Sequence, residues 1–359
     1  TSPDQVSNWS DHRYDMDDNQ SREGGIIKIS DQQRIEFIML DPADGNTITL
    51  NKTEDDENDV HGQGAILYNK GKIDRIAGTA SNNTIINNST VANKATANGG
   101  AFALYGGTDI GTIDVDFIKN SVQAEYIGGD GTTEYINKKQ ISAGGGAIHI
   151  QGAFGSTGTA KIDKINGDFI GNSAIGDGYA NGGAIYVKAG AGDRDDAGAK
   201  GGVTINSING DFDGNFVIAK TGTTTNAEDS TGGAISIKLD EKEPDADATV
   251  AVTGDFRNNY VETNLTRALG GAIYNQGNLT VNGDFINNHV SSKAEKGFGG
   301  AIYNTGKLTL GENLEFKGNR ADDAGGAIYN AGVIDKIAHI NFKENEGKLA
   351  GAINNSNLI

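Results

Sequence analysis

Two short apolar phrases alternate along most of the chain, and their spacing predicts its architecture. The first is Gly-Gly-Ala followed by an apolar residue, read at Gly99–Phe102, Gly145–Ile148, Gly182–Ile185, Gly232–Ile235, Gly270–Ile273, Gly299–Ile302 and Gly325–Ile328. Shortened copies stand at Gly64-Ala65-Ile66 and Gly351-Ala352-Ile353. The second is Phe-x-x-Asn, at Phe117/Asn120, Phe169/Asn172, Phe212/Asn215, Phe256/Asn259, Phe285/Asn288, Phe316/Asn319 and Phe342/Asn345, with Ile85/Asn88 as a worn copy. From Ala272 the first phrase recurs after 29, 26 and 25 residues; upstream the steps are 36, 46, 37, 50 and 38. A minimum period near 25 residues, made of short β segments, is one coil of a parallel β-helix. Within a period, Ala301-Ile302-Tyr303-Asn304 is an apolar run, Thr305-Gly306 punctuates, and Lys307-Leu308-Thr309-Leu310 alternates with period two. The pattern predicts an all-β chain: a right-handed parallel β-helix, or solenoid, with an N-terminal capping segment and loop insertions. Residues 1–23 read as a polar acidic arm, 24–61 as cap strands, and 62–359 as about nine coils.

Stacking coils about 4.8 Å apart turns each repeated position into a column. Phe169, Phe212, Phe256, Phe285, Phe316 and Phe342 are expected to form a core column. Asn172, Asn215, Asn259, Asn288, Asn319 and Asn345 are expected to form an amide ladder from coil to coil. Gly183, Ala184, Gly271, Ala272, Gly300, Ala301, Gly326 and Ala327 fit places where walls approach too closely for larger side chains. The longer upstream periods imply insertions at Ser121–Ala143, Lys188–Gly202, Ala219–Thr231 and Lys238–Ala248, read as loops leaving the rod. Such loops are either recognition elements or tolerated surface insertions.

Composition narrows the function classes. A net formal charge of −18 repels phosphate backbones and anionic headgroups, so no nucleic acid and no direct membrane insertion are expected. With no Cys, the chain has no disulfide framework, no thiolate chemistry and no Cys-based metal site. The same lack suits a chain that threads unfolded through an outer-membrane pore. Apolar residues are only 36%, but 53 Gly bring the small and apolar total back to an ordinary level, and a thin rod has much surface to cover.

The alternation of Gly-Gly-Ala-Ile with Phe-x-x-Asn is similar to the repeats of the polymorphic outer-membrane proteins of chlamydiae, and to other autotransporter passengers with that pair. The resemblance covers roughly residues 62–359. It implies a β-helical passenger on the outer surface of a Gram-negative cell, with adhesion as the usual activity. Phrases such as Ile162-Asp163-Lys164-Ile165-Asn166-Gly167-Asp168-Phe169 also look like repeats in large autotransporters of gut bacteria. The β-barrel translocator expected after such a passenger does not appear in this sequence. The family's contact residues are undefined beyond the two motifs, so none is carried over.

Both ends depart from the repeat. The acidic arm holds Trp9, the single Trp, which is the expected anchor onto the first coil or onto a neighbouring molecule, and so a candidate assembly contact. Strand-like runs at Ile26–Ile29, Arg34–Leu40 and Thr47–Leu50 lack the motifs, as terminal coils of solenoids do. The last residues follow a Gly-Ala-Ile phrase with no cap. Three explanations stand: a fragment, a head-to-tail contact with residues 24–50 of another copy that would build an open fibre, or a tolerated polar end.

A search for chemistry finds no catalytic, cofactor or metal residues. Asp168, Asp211, Asp255 and Asp284 recur at one coil position, which argues for a turn role, because catalytic residues are singular. His12, His61, His149, His289 and His339 have no metal-ligand spacing. Ca²⁺ has two candidate clusters, Asp11/Asp15/Asp17/Asp18 and Glu54-Asp55-Asp56-Glu57, but neither follows a known Ca²⁺ loop pattern and solvated charge is the better account. The expected function is an adhesin-like passenger that binds host or neighbouring-cell ligands through flank and loops. The alternative is a fibre subunit whose partners are other copies of itself. A polysaccharide-active enzyme is the least favoured reading.

Overall fold

The computed structural model describes residues 27–30, 33–40, 43–44, 47–51, 61–78, 84–86, 89–93, 96–125, 142–152, 158–190, 201–220, 229–240, 246–264, 266–293 and 296–356. The described strands form five sheets, each wholly parallel, which every coil visits in the same order. These are numbered here as walls 1 to 5. One coil runs through Ile185–Ala189, Val203–Asn209, Phe212–Asp213, Phe216–Ala219 and Ser230–Thr231, and Ile235–Leu239 returns to wall 1. The walls hold ten, nine, nine, eight and seven described strands in turn. The chain is a parallel β-helix.

Like residues pair with like from coil to coil: Ile185 with Ile235 in wall 1, Phe212 with Phe256 in wall 3. The motif-free strands at the start obey the same register, with Ile27 opposite Leu67, Ile35 opposite Ile73 and Thr47 opposite Ser89. The arm with Trp9 and both acidic clusters considered for Ca²⁺ lie outside the described residues.

The interior divides in two. Walls 1, 2 and 3 enclose a main core of Ile, Leu, Val and Phe. Within it Phe169, Phe212, Phe256, Phe285 and Phe316 are fully buried and stack face to face at 4.7–4.8 Å between centroids. Phe342 continues the stack at 5.1 Å and is only partly buried. Each buried Phe contributes roughly 2–3 kcal/mol relative to exposure. Walls 4 and 5 enclose a second, narrower core built from Val122, Val217, Val261 and Val290 against Ala97, Ala143, Ala180 and Ala268.

Between the two cores lies a waist, where the Gly-Gly corner joining wall 5 to wall 1 presses on the backbone that enters wall 4. A Cβ on Gly183 would sit 2.0 Å from the Gly233 carbonyl oxygen and 2.6 Å from the Phe216 nitrogen and oxygen. Gly271 and Gly300 meet the backbones of His289 and Arg320 in the same way, and Gly326 meets that of Glu346. The following Ala184, Ala272, Ala301 and Ala327 are fully buried in the main core.

The Phe-x-x-Asn amides close the other side of the waist. Asn172 donates from Nδ2 to the Phe117 carbonyl one coil back at 2.8 Å and to Asn215 Oδ1 one coil on at 2.9 Å. Its backbone N–H donates to the same Asn215 oxygen at 3.0 Å. The pattern repeats through Asn215, Asn259, Asn288 and Asn319 to Asn345. Every member from Asn120 to Asn319 is fully buried, so the ladder satisfies polar atoms that water cannot reach.

Wall 2 departs from simple alternation. Ile110 and Ile113, Ile162 and Ile165, and Ile205 and Ile208 all point inward although three positions apart. Two residues face outward between each pair, an irregularity stacked coil upon coil. It ends where Ile205 and Ile208 pair with Val250 and Val252, and strict alternation follows through Leu279/Val281 and Leu308/Leu310.

Most of the coil-length variation sits at two places. The chain always re-enters wall 4 three positions after leaving wall 3, as from Ile170 to Ser173 or Arg257 to Tyr260. The Gly-Gly corner is equally constant, as from Asn181 to Ile185 or Leu269 to Ile273. From Thr96 onward the long insertions fall between walls 1 and 2 (Ala189 to Val203, Leu239 to Ala248) and between walls 4 and 5 (Glu125 to Ser142, Ala219 to Ser230). These bounds are narrower than the sequence predicts, because Ser121–Glu125 and Lys188–Ala189 belong to strands of the rod.

Candidate binding surface

The flank of the rod carries side chains that neither core needs. In wall 1, alternation sends Ile185 and Val187 inward and Tyr186 outward. Its column runs Tyr68, Ala103, His149, Tyr186, Ser236, Tyr274, Tyr303, Tyr329. The last position of wall 5 faces the same way, and the two columns meet across the Gly-Gly corner. A Cβ on Gly144 would lie 2.4 Å from a ring carbon of Tyr186, the Thr231 and Ser236 hydroxyls are 2.7 Å apart, and the Phe298 ring lies 4.9 Å from that of Tyr329.

This seam is closed at one end and open at the other. Tyr68, Ala103 and Tyr105 bury one another, and His149 lies fully buried between the rings of Tyr105 and Tyr186. Asn181 Oδ1 accepts from Thr231 at 2.7 Å, whereas its buried Nδ2 has no hydrogen-bond partner among the described residues. Gly144, one rung back, has no side chain to continue the column there. Towards the C-terminus Phe298, Tyr303 and Tyr329 are half-exposed. Tyr274, Tyr303 and Tyr329 stack at 5.5 and 5.0 Å, nearly coplanar in orientation. Burial raises the Tyr303 pKa, so its hydroxyl remains a protonated donor at neutral pH. Arg267 grips Asp229 with two hydrogen bonds beside these rings, its Nε at 2.9 Å.

A second stripe runs down wall 4, in the residue that follows each ladder Asn. Phe216, Tyr260 and His289 are half-exposed and stack at 5.1 Å, and Arg320 occupies the next rung. Burial lowers the His289 pKa below its ordinary 6.5, with Glu262 at 3.9 Å and Asp322 acting the other way and Arg320 reinforcing it. The fold therefore prefers neutral His289. Its contribution is complete above about pH 6.5 and is lost as pH falls through the lowered value, where the unfolded chain already holds the proton. We expect thermal stability to decline between pH 7 and 5, with a shallower slope in His289→Gln; equal slopes would show that His289 is not the group responsible. Paired carboxylates such as Asp163 and Glu315, whose pKa values are held low by hydrogen bonds from Lys161 and Lys343, contribute fully across that window and lose their contribution only at lower pH.

Wall 3 displays a carboxylate column. Asp168, Asp211, Asp255 and Asp284 each accept, through Oδ1, the backbone N–H of the next coil's equivalent residue at 2.7–2.8 Å. Arg257 bridges Asp211 and Asp255. These acids brace the turn into wall 3, one per coil. Of the sequence-predicted positions, Phe, Asn, Gly and Ala assemble at the cores and waist. The two aromatic stripes were not foreseen, although their signals were present: the Tyr of Ile302-Tyr303-Asn304 lies between inward residues, and the wall 4 stripe follows each Asn.

A family model for the Chlamydia polymorphic membrane protein repeat matches residues 313–331. That stretch contains Phe316 and Asn319 together with Gly325-Gly326-Ala327-Ile328, one copy of each phrase. No curated protein and no solved structure matches the chain. The chain thus resembles the passengers of chlamydial polymorphic membrane proteins in its repeat.

Proposed function

We propose that this chain is an adhesive passenger displayed on the surface of a Gram-negative cell, binding host or neighbouring-cell ligands through its flank and loops and catalysing no reaction. The repeat match and the β-helical fold support an autotransporter-like passenger. The adhesive part rests on the half-exposed rings of the wall 4 stripe and of the open end of the wall 1 column, which the cores do not use and which rigid walls hold in fixed register. Exposed aromatic residues on a rigid frame are what interfaces enrich. The carboxylates that an enzyme reading would invoke are periodic and accept backbone hydrogen bonds, which suits bracing.

The test is attachment of beads coated with the full chain to epithelial and bacterial cells. The expected result is retention several-fold above an inert protein coat, reduced severalfold in a Phe216→Ser/Tyr260→Ser variant whose circular dichroism and melting temperature match the parent. Retention no higher than the inert coat on every cell type would sink the proposal.

A further inference from the structure

We infer that the open end of the seam between walls 5 and 1 is a binding site for a neutral glycan lying along the rod axis. The inference deepens the adhesive reading and rests on it. The first argument is charge. Beside the half-exposed rings of Phe298, Tyr303 and Tyr329, two pairs of opposite charges are closed on each other: Arg267 with Asp229, and Lys296 with Asp323 at 3.4 Å. On a chain carrying −18, these two pairs cancel internally, which favours a ligand without net charge.

The second argument is backbone saturation. Walls 1 and 5 pair their strands with the coils before and after, as at Tyr303 with Tyr274 and Tyr329. A peptide therefore has no strand edge to join along this flank, and recognition falls to side chains. Those side chains offer aromatic carbon, tyrosyl hydroxyls and a planar guanidinium held in place by its carboxylate. That combination suits a ligand with apolar C–H faces and many hydroxyls.

The third argument is periodicity. The half-exposed Tyr303 and Tyr329 stand one rung apart at 5.0 Å between rings, and the buried Tyr274 backs Tyr303 at 5.5 Å. An extended β-linked glycan advances by about one sugar per rung of a β-sheet, whose strands lie about 4.8 Å apart. A glycan laid along the seam would therefore meet equivalent groups at successive sugars. Affinity should then grow with chain length until the open rungs are filled and level off beyond.

The experiment is titration calorimetry on the full chain with cello- and chito-oligosaccharides of two to six sugars, a sulfated heparin hexasaccharide and a proline decamer. The expected result is binding of a neutral series that tightens with length, is unchanged between low and high salt, and weakens at least tenfold in Tyr329→Ala. Tyr303→Phe keeps the stacked ring and removes only the hydroxyl, so it should fold normally and weaken binding a few-fold. Failure of both neutral series, preference for the sulfated ligand with loss in salt, preference for the proline decamer, or neutral binding untouched by Tyr329→Ala would each overturn the inference. Bead attachment that persists when neutral glycans fail would leave the adhesive reading standing and remove only this one.

Discussion

Replacing Asn259 by Ala is expected to cost on the order of 3–5 kcal/mol and to cut the rod's cooperative unfolding at that rung. The Asn215 backbone N–H and Nδ2 both lose their acceptor, at 3.0 Å each, and the Phe212 carbonyl loses the donor that reaches it at 2.9 Å. All three groups belong to a fully buried ladder, where each orphaned polar atom costs about 1–3 kcal/mol. Asn345 makes comparable contacts but is only partly buried, so water replaces much of what Asn345→Ala removes. Thermal unfolding with hydrogen exchange resolved by coil would measure both. Equal, small losses at the two positions would show that the ladder decorates the waist without holding it.

The waist glycines give the second large effect. Gly183→Ala places a methyl 2.0 Å from one backbone oxygen and 2.6 Å from two further backbone atoms. Neither neighbour is a flexible side-chain end, so a rung must part; the expected loss is about 4 kcal/mol or more. Gly214 is the internal control. Its φ of +64° is as left-handed as that of Gly182, yet nothing among the described residues lies within 4 Å of an added Cβ. Gly214→Ala should therefore cost only the conformational penalty, about 1–2 kcal/mol. Melting curves of the two variants would decide between close approach and backbone angle as the reason for the Gly-Gly phrase, and a larger loss at Gly214 would refute close approach.

The repeat made the rungs legible because each phrase marks a fixed point of the coil. Phe and Asn mark the passage from wall 3 to wall 4, and Gly-Gly-Ala the passage from wall 5 to wall 1. The division into two cores was not legible. Alternation tells which residues point inward, but not that Val122 and Ala124 point into a different interior from Phe117. For the same reason Ser121–Glu125 looked like an insertion: its small and polar residues lack the bulk of a main-core strand, and the narrow lobe needs only Val and Ala. Wall 2 hid its inward pairs because Ile162 and Ile165 break the period of two. The aromatic stripes could have been read from position alone, but their chemistry emerged only when the seam brought Phe298 and Arg267 beside the Tyr column.

The constant passages at the waist set a rule for how such a molecule can change. The residues that must meet across the waist tolerate no added or lost position, whereas the far corners already accommodate gaps as unlike as Asn304 to Lys307 and Ala189 to Val203 in one lobe, and Thr263 to Ala268 and Ala219 to Ser230 in the other. Doubling a flexible loop costs only about 0.6 kcal/mol in closure entropy. A lineage can therefore lengthen, shorten or exchange what the lobe tips present while leaving every weight-bearing contact untouched, so that descendants with the same shaft present different faces to whatever they touch.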